Sequence, residues 1–446
     1  MQILCRLFIA FLLVLKIPFP ENARSDSSKV CVRDSAAALY NTLKYHHHEV
    51  SQMAKMRGVQ LPRLSEKDEL LIRQYIQKYL SDVPDSALIV YAADQNFNCA
   101  FLWKSNFQKP IYSRQNSESA RFDIASEGLR GGILRSNIRG ELAPRLKRDG
   151  SLISFFSNLL NKNSTSKEVS RADDTAVLSR SFFPERFRPH LREIKHLSIV
   201  SVRGMSTVPI GMLEPLGDGR KTVEMFSVNF VAFIADIAKS DQVWPRAFNN
   251  PLIVGNPLSS NDPDWTLPSL PGAEKEAVEA YNQFGGKLLK RNAAVEKSVM
   301  RLIDDADLIY FAAHGISDPD DPLDGSFIAL SDGRLTAREV QTRKFYLHPL
   351  VILSACQTGL GKVLEAGVVG IARAFQKANA GNTVMSLWNV DDAATLHLMT
   401  AFRNHIKVHM PAEAMRRAML DTRKSYPKPA HWAAFNVFGN HSRTLN

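Results

Sequence analysis

The sequence predicts an α/β fold with a mostly parallel sheet and helices on its faces. Two observations predict it. From His196 onward, short apolar segments alternate with stretches of helical periodicity, the order that builds strand–helix–strand units. These segments are apolar throughout, as in parallel strands buried on both faces, instead of alternating as a half-exposed strand would.

In chain order, 32–58 and 65–80 read as helices. In the second, Leu70, Leu71, Tyr75, Ile76 and Tyr79 fall near helical spacing behind the approximate capping box Ser65-Glu66-Lys67-Asp68. His46, His47 and His48 lie on the first. Adjacent helical residues point about 100° apart, so a polar face is preferred there over a metal site. Ala87–Ala92 and Cys99–Lys104 read as strands, while 105–185 shows few periodic signals. Leu197–Val202, Leu252–Val254, Asp307–Ala313, Leu350–Ala355 and Thr383–Trp388 are strand-like. Glu274–Phe284, Ala293–Asp304, Val368–Asn379, 393–408 and Ala412–Ser425 are helix-like, with Asp391 or Asp392 as a cap. Thr336-Ala337-Arg338-Glu339 is a full capping box opening a short helix. No internal repeat is visible, so no helical solenoid is expected in this chain.

At 446 residues, with 45% hydrophobic and 23% charged residues, the chain has material for two or three domains. Its net charge of +11 comes from basic residues scattered singly. A solvated basic surface accounts for that better than a nucleic-acid site, and no nucleic-acid partner is expected. Residues 1–25 have the layout of a secretory signal. A basic start at Arg6 precedes the apolar run Leu7–Leu15, with small residues at Ala23 and Ser25 before a cleavage point. An uncleaved N-terminal anchor is the alternative. No other stretch is long and apolar enough for a bilayer span, so the mature chain is expected to be exported to the periplasm or the extracellular space. It would keep Cys31, Cys99 and Cys356. In an oxidising compartment Cys31 and Cys99 could pair, leaving Cys356 as the odd thiol.

In open parallel sheets, reactive groups gather just beyond the carboxyl ends of strands. Two strands end unusually, in Phe311-Ala312-Ala313-His314-Gly315 and in Leu353-Ser354-Ala355-Cys356-Gln357-Thr358-Gly359. If these strands are neighbours, His314 and Cys356 face each other. The histidine would then deprotonate the thiol and return the proton to a leaving amine. The N–H groups of Gly315 and Cys356 would stabilise the oxyanion. Taken singly, such a cysteine is more often a small core residue and such a histidine more often structural. Their joint placement favours catalysis. The acidic loop Asp318–Asp324 is read as a solvated run beside the site that would help attract basic substrates, with cation binding as the alternative.

These stretches, together with Leu270-Pro271-Gly272-Ala273-Glu274, Asp332–Glu339, Gly370–Phe375, Ser386-Leu387-Trp388-Asn389-Val390-Asp391-Asp392 and Trp432–Phe435, carry a family pattern. Residues 251–440 resemble a CHAT domain, a caspase-like cysteine peptidase module of the clan that includes caspases and separase. Residues 83–250 resemble, more faintly, the non-catalytic caspase-like half that precedes it, and 26–82 form a helical N-terminal region. The resemblance implies a cysteine endopeptidase with His314 and Cys356 as its dyad, acting on a protein substrate without metal or other cofactor. It also implies that Asp392, beside Asp391, reads a basic residue before the scissile bond, since a guanidinium forks onto carboxylate oxygens. A helix N-cap is an equally good reading of either aspartate. The alternative function is a catalytically silent binding or regulatory module of the same fold.

Overall fold

The computed structural model describes residues 66–93, 97–116, 126, 171–201, 203–231, 243–244, 247–258, 267, 269–318, 321–355, 362–364, 367–388, 391–439 and 443–444. The predicted signal over 1–25, the helix over 32–58 with its histidines, and Cys356 lie outside the described residues.

Helix α1 (Glu66–Asp82) leads into strands β1 (Ser86–Ala93), β2 (Phe97–Lys104) and β3 (Ile111–Asn116). Helix α2 (Arg171–Phe182) precedes β4 (His196–Val200), β5 (Ser227–Val231) and β6 (Pro251–Gly255). Then come α3 (Pro271–Phe284), β7 (Lys287–Lys290), α4 (Glu296–Leu302) and β8 (Leu308–Ala313). A three-stranded antiparallel flap follows, β9 (Gly315–Ile316), β10 (Phe327–Ala329) and β11 (Arg334–Thr336), and it closes on α5 (Ala337–Thr342). The chain continues through β12 (Leu350–Ala355), α6 (Ile371–Lys377), β13 (Asn382–Ser386), α7 (Asp392–His405), α8 (Pro411–Ser425) and β14 (Phe435–Gly439).

One 11-stranded sheet runs through the molecule in the order β3-β2-β1-β4-β5-β14-β13-β12-β8-β6-β7. Its β3-β2, β2-β1 and β14-β13 pairs are antiparallel and the others parallel. The predicted class is therefore observed: a mixed α/β fold with a large, mostly parallel sheet flanked by helices. β8 and β12 are buried at every position, which explains why their sequences do not alternate. On one face α3 covers β6 and β8, α7 packs against α3 and α8, and α8 lies against β5 and β14. On the other, Phe375 of α6 meets Phe311 of β8 and Phe345, with ring centroids 6.0 Å apart in each pair.

The parts of the sheet on either side of the β5–β14 seam are joined by more than that pairing. Phe230 and Phe438 stack across it at 5.4 Å. Asn229 donates to the Gly439 carbonyl, and Asn436 donates to the carbonyls of Ser206 at 2.9 Å and Val208 at 3.0 Å. A second, smaller core lies where α1 packs Ile76, Tyr79 and Leu80 against Leu88, Val90, Phe101 and Trp103. Cys99 belongs to this core and is disulfide-bonded.

Three elements differ from the sequence expectation. β3 and α2 lie in the stretch with few periodic signals. The segment expected as one helix over Val368–Asn379 is split, with Gly367–Val369 as strand and only Ile371–Lys377 as helix. The capping box at Thr336 forms as expected: Glu339 N donates to Thr336 Oγ1 at 3.2 Å and Thr336 N to Glu339 Oε2 at 2.8 Å. Among the described residues no helix is long and apolar enough to cross a membrane.

The contact of α3 with β6 is close because Gly255 faces Ala277, and a Cβ at Gly255 would collide with the Ala277 Cβ. Gly255→Ala is expected to cost about 1–3 kcal/mol by overpacking. Adding Ala277→Gly should recover part of that loss even though glycine is a poor helix former. Denaturant unfolding of the two single variants and the double variant checks this, and strictly additive costs would show that the contact is not the cause.

Candidate active site

The parallel pairing of β8 with β12 sets Ala313 opposite Ala355 and Ala312 opposite Ser354. His314 follows Ala313 directly and is half-buried. The next residue after Ala355 is Cys356, which lies outside the described residues. The two strands are thus neighbours, in register, and end together. The end of β12 is held by the Ser386 hydroxyl, which donates to the Ala355 carbonyl. The end of β8 is held by Ala329 N, which donates to the His314 carbonyl at 2.9 Å, and by Asn256 N, which donates to the Ala312 carbonyl at 2.8 Å. With that first bond in place, the Gly315–Ile328 pair of the flap is a non-hydrogen-bonded pair, so the Gly315 N–H stands outside the flap ladder.

Both aspartates sit at the start of α7, and each accepts from a helix-terminal N–H. Asp391 is the N-cap, its Oδ1 accepting from Ala394 N at 2.9 Å. Asp392 Oδ2 accepts at 2.8 Å from Gly272 N in the first turn of α3, which ties the two helices together at their N-termini. A Cβ at Gly272 would run into this carboxylate, so the glycine is required by the close approach. Both side chains remain exposed. The loop before them is anchored by Trp388, buried, whose Nε1 donates to the Ala430 carbonyl at 3.0 Å. In the acidic loop, Asp324 takes a two-pronged bond from Arg338, at 2.6 Å and 2.7 Å. That bond holds the Asp324 carboxyl below the usual carboxylate range.

Beneath the strand ends lies a polar cluster that the motif reading did not single out. Glu276 of α3 is 2% exposed and accepts from the Tyr310 hydroxyl of β8 at 2.8 Å. Arg403 of α7 is buried to the same degree, bonded to Glu279, and donates to Thr400 Oγ1 at 2.9 Å. Burial pushes Glu276 up to about 7, against the stabilising effect of Ser354, Tyr310 and Arg403 on its charge. The Ser354 hydroxyl acts on this carboxylate without reaching hydrogen-bond geometry, and it has no hydrogen-bond partner among the described residues. Glu276 left one trace in the sequence: a carboxylate on the helical stripe otherwise formed by Ala273, Ala277 and Ala280. Asn256, buried with φ of 44°, was also missed; its Oδ1 accepts from Leu270 N at 2.8 Å and sets the entry to α3.

The Glu276 shift has a sign. An acid whose folded pKa is raised holds its proton longer when folded, so stability is lost as pH rises from about 4.5 to about 7. Glu276→Gln, which cannot ionise, should remove that decline. The variant should gain on the order of 1–3 kcal/mol relative to the parent between pH 4.5 and pH 8. Urea unfolding at the two pH values measures it, and a difference that does not change with pH would refute the assignment.

Comparison with known proteins places this geometry. The family model described as CHAT domain matches residues 175–440. Tetratricopeptide repeat protein 28 of Homo sapiens is 24% identical over 296 residues, 55% of this chain and 12% of that protein. Its Mus musculus counterpart is 24% identical over 283 residues, 52% of this chain and 12% of that protein. The chain therefore spans only a small part of the length of these relatives. Among solved structures, separase of Saccharomyces cerevisiae, in its complex with securin, matches with a TM-score of 0.53 at 12% identity. That match covers 100% of this chain and 36% of the separase chain. The likeness is one of fold, that of a caspase-like cysteine peptidase module. On the family match, which takes in more than half of its length, this chain belongs to the CHAT domain family.

Proposed function

We propose that the protein is a cysteine endopeptidase that cleaves a protein substrate after a basic residue. The observation that carries this reading is the parallel register Ala313↔Ala355. Adjacent strands lie about 4.8 Å apart, and consecutive Cα atoms are about 3.8 Å apart. The chain thus delivers His314 and Cys356 to the same edge of the sheet, within reach of one substrate bond. In this reading His314 takes the thiol proton and the thiolate of Cys356 attacks the scissile carbonyl carbon. The oxyanion is met by the N–H groups of Gly315 and Cys356. As the C–N bond breaks, the imidazolium returns its proton to the leaving amine. Water then hydrolyses the thioester, restoring the thiol and releasing the new carboxyl end. Asp391 and Asp392, both exposed beside the strand ends, supply negative charge for the basic residue. Residues 251–440 would hold this machinery, and 83–250 the non-catalytic half that widens its sheet.

An exported location is part of the same reading. A disulfide at Cys99 suits an oxidising compartment. β2 lies six strand spacings from β12, close to 29 Å along the sheet. A disulfide joins Cα atoms only about 4.4–6.8 Å apart. Cys356 is thus too far away to be the partner of Cys99, which favours Cys31 and leaves Cys356 as a free thiol.

A silent binding module is the second reading. It is favoured by the engagement of both aspartates in helix-terminal bonds, which a purely structural role would also produce. Cleavage of a peptide library by the full chain separates the two. Cleavage after Arg or Lys is expected, with Cys356→Ala and His314→Ala each losing about 10³-fold or more at unchanged thermal stability. An intact chain that cleaves nothing, and leaves a basic peptidyl acyloxymethyl ketone unreacted, would establish the silent module instead.

A further inference from the structure

The buried cluster under the strand ends has a charge imbalance. The groups facing Glu276 are Tyr310 from β8, Ser354 from β12, and Arg403 and Asp392 from α7. Glu279 stands one turn along its own helix and is bonded to Arg403. One cation therefore stands among three carboxylates, and it is bonded to Glu279 rather than to Glu276. Leaving a carboxylate in this position is costly when a neutral side chain of similar shape would pack as well. A second observation points the same way. The Ser354 hydroxyl, in a side chain 7% exposed, is directed at this carboxylate and has no hydrogen-bond partner among the described residues. Its register partner, Ala312, is also small, so this pair puts no bulk between the strand ends and Glu276.

Resting on the peptidase reading, we infer that Glu276 and Ser354 form the inner end of the pocket for the basic side chain, with Asp392 at its mouth. The dimensions agree. Ser354 lies two residues before Cys356, about 7 Å along an extended strand, which is the reach of an arginine or lysine side chain lying down from the scissile bond. A guanidinium there satisfies both orphaned groups, since its N–H donors bond to the carboxylate and to the serine oxygen. It also restores the missing positive charge. The surface aspartates then attract the basic side chain and the buried glutamate selects it. This division suits their environments, because a charge pair is worth more away from water.

The test uses ligand binding, so it does not depend on turnover. The full chain carrying Cys356→Ala is titrated calorimetrically with butylguanidine at pH 7, in buffers of different ionisation enthalpy. Glu276 is close to half-protonated there, so binding of the cation should release about half a proton per ligand. In the Glu276→Gln background the affinity should fall at least tenfold and the proton release should vanish. The uncharged isostere butylurea should bind both chains equally weakly. Absence of butylguanidine binding, or the same affinity and proton release with and without Glu276, overturns the inference. The outcomes also separate the two levels of the argument. Proton-linked binding by a chain whose intact thiol form cleaves nothing would sink the peptidase reading and leave the pocket. Cleavage after basic residues by a chain indifferent to Glu276→Gln would do the reverse.

Discussion

The in-register parallel pairing of β8 with β12 is the constraint on which the rest of the structure depends. Two strands that stop at the same level bring their following residues to one edge, and everything nearby fixes where they stop. α3 covers one face of the pair and α6 the other, so neither strand can slide without exposing apolar side chains on both faces. Bonds from Ser386, Ala329 and Asn256 to the carbonyls of Ala355, His314 and Ala312 hold the ends after the ladder itself has run out. A buried backbone carbonyl needs a donor wherever a strand opens into a loop. Here those donors come from three different segments, and they converge where the chemistry is proposed.

The sheet also explains how the preceding half is attached. β14, the last strand of the large sheet, runs antiparallel to β13 and then pairs parallel with β5. The C-terminal strand is thereby inserted between the two parts of the chain. The polar bonds of Asn229 and Asn436 across this seam are buried, where each unmade bond would cost about 1–3 kcal/mol. The main hydrophobic core is continuous from Ile89 to Phe438. The two halves accordingly share one interior, and 83–250 contributes to the rigidity of the strands that carry His314 and lead to Cys356.

The large sheet was legible where burial is two-sided, because an uninterrupted apolar run such as Leu350–Leu353 has few other uses. Local capping was legible too, since Thr336 and Glu339 need only each other. The elements that escaped are those whose polarity is resolved by tertiary contact. β5 reads Ser-Val-Asn-Phe-Val, and Asn229 looks like a turn signal until Ser198 and the Gly439 carbonyl become its partners. β3, Ile111–Asn116, is an edge strand with polar residues facing water, which is how an edge avoids further pairing. The strand Gly367–Val369 was absorbed into the helix that follows it, because three residues are too few to establish a period.

The aspartates and the glutamate mark the limit of motif reading in the site itself. Asp391-Asp392 announces a carboxylate pair, and either residue could serve as a cap. The structure assigns the cap to Asp391 and sends Asp392 to a second helix, where Gly272 leaves just enough room. No sequence pattern ties residue 392 to residue 272, since the bond exists only because α3 and α7 start side by side. Glu276 is the converse case. It lies four residues from Gly272 on the same helix, on an apolar stripe, where a carboxylate should cost more than it returns. Such a residue is informative because it breaks the helical pattern without local compensation. The groups around it, from β8, β12 and α7, are those that frame the proposed dyad. A charge placed there at the expense of stability acts on whatever enters between the strand ends.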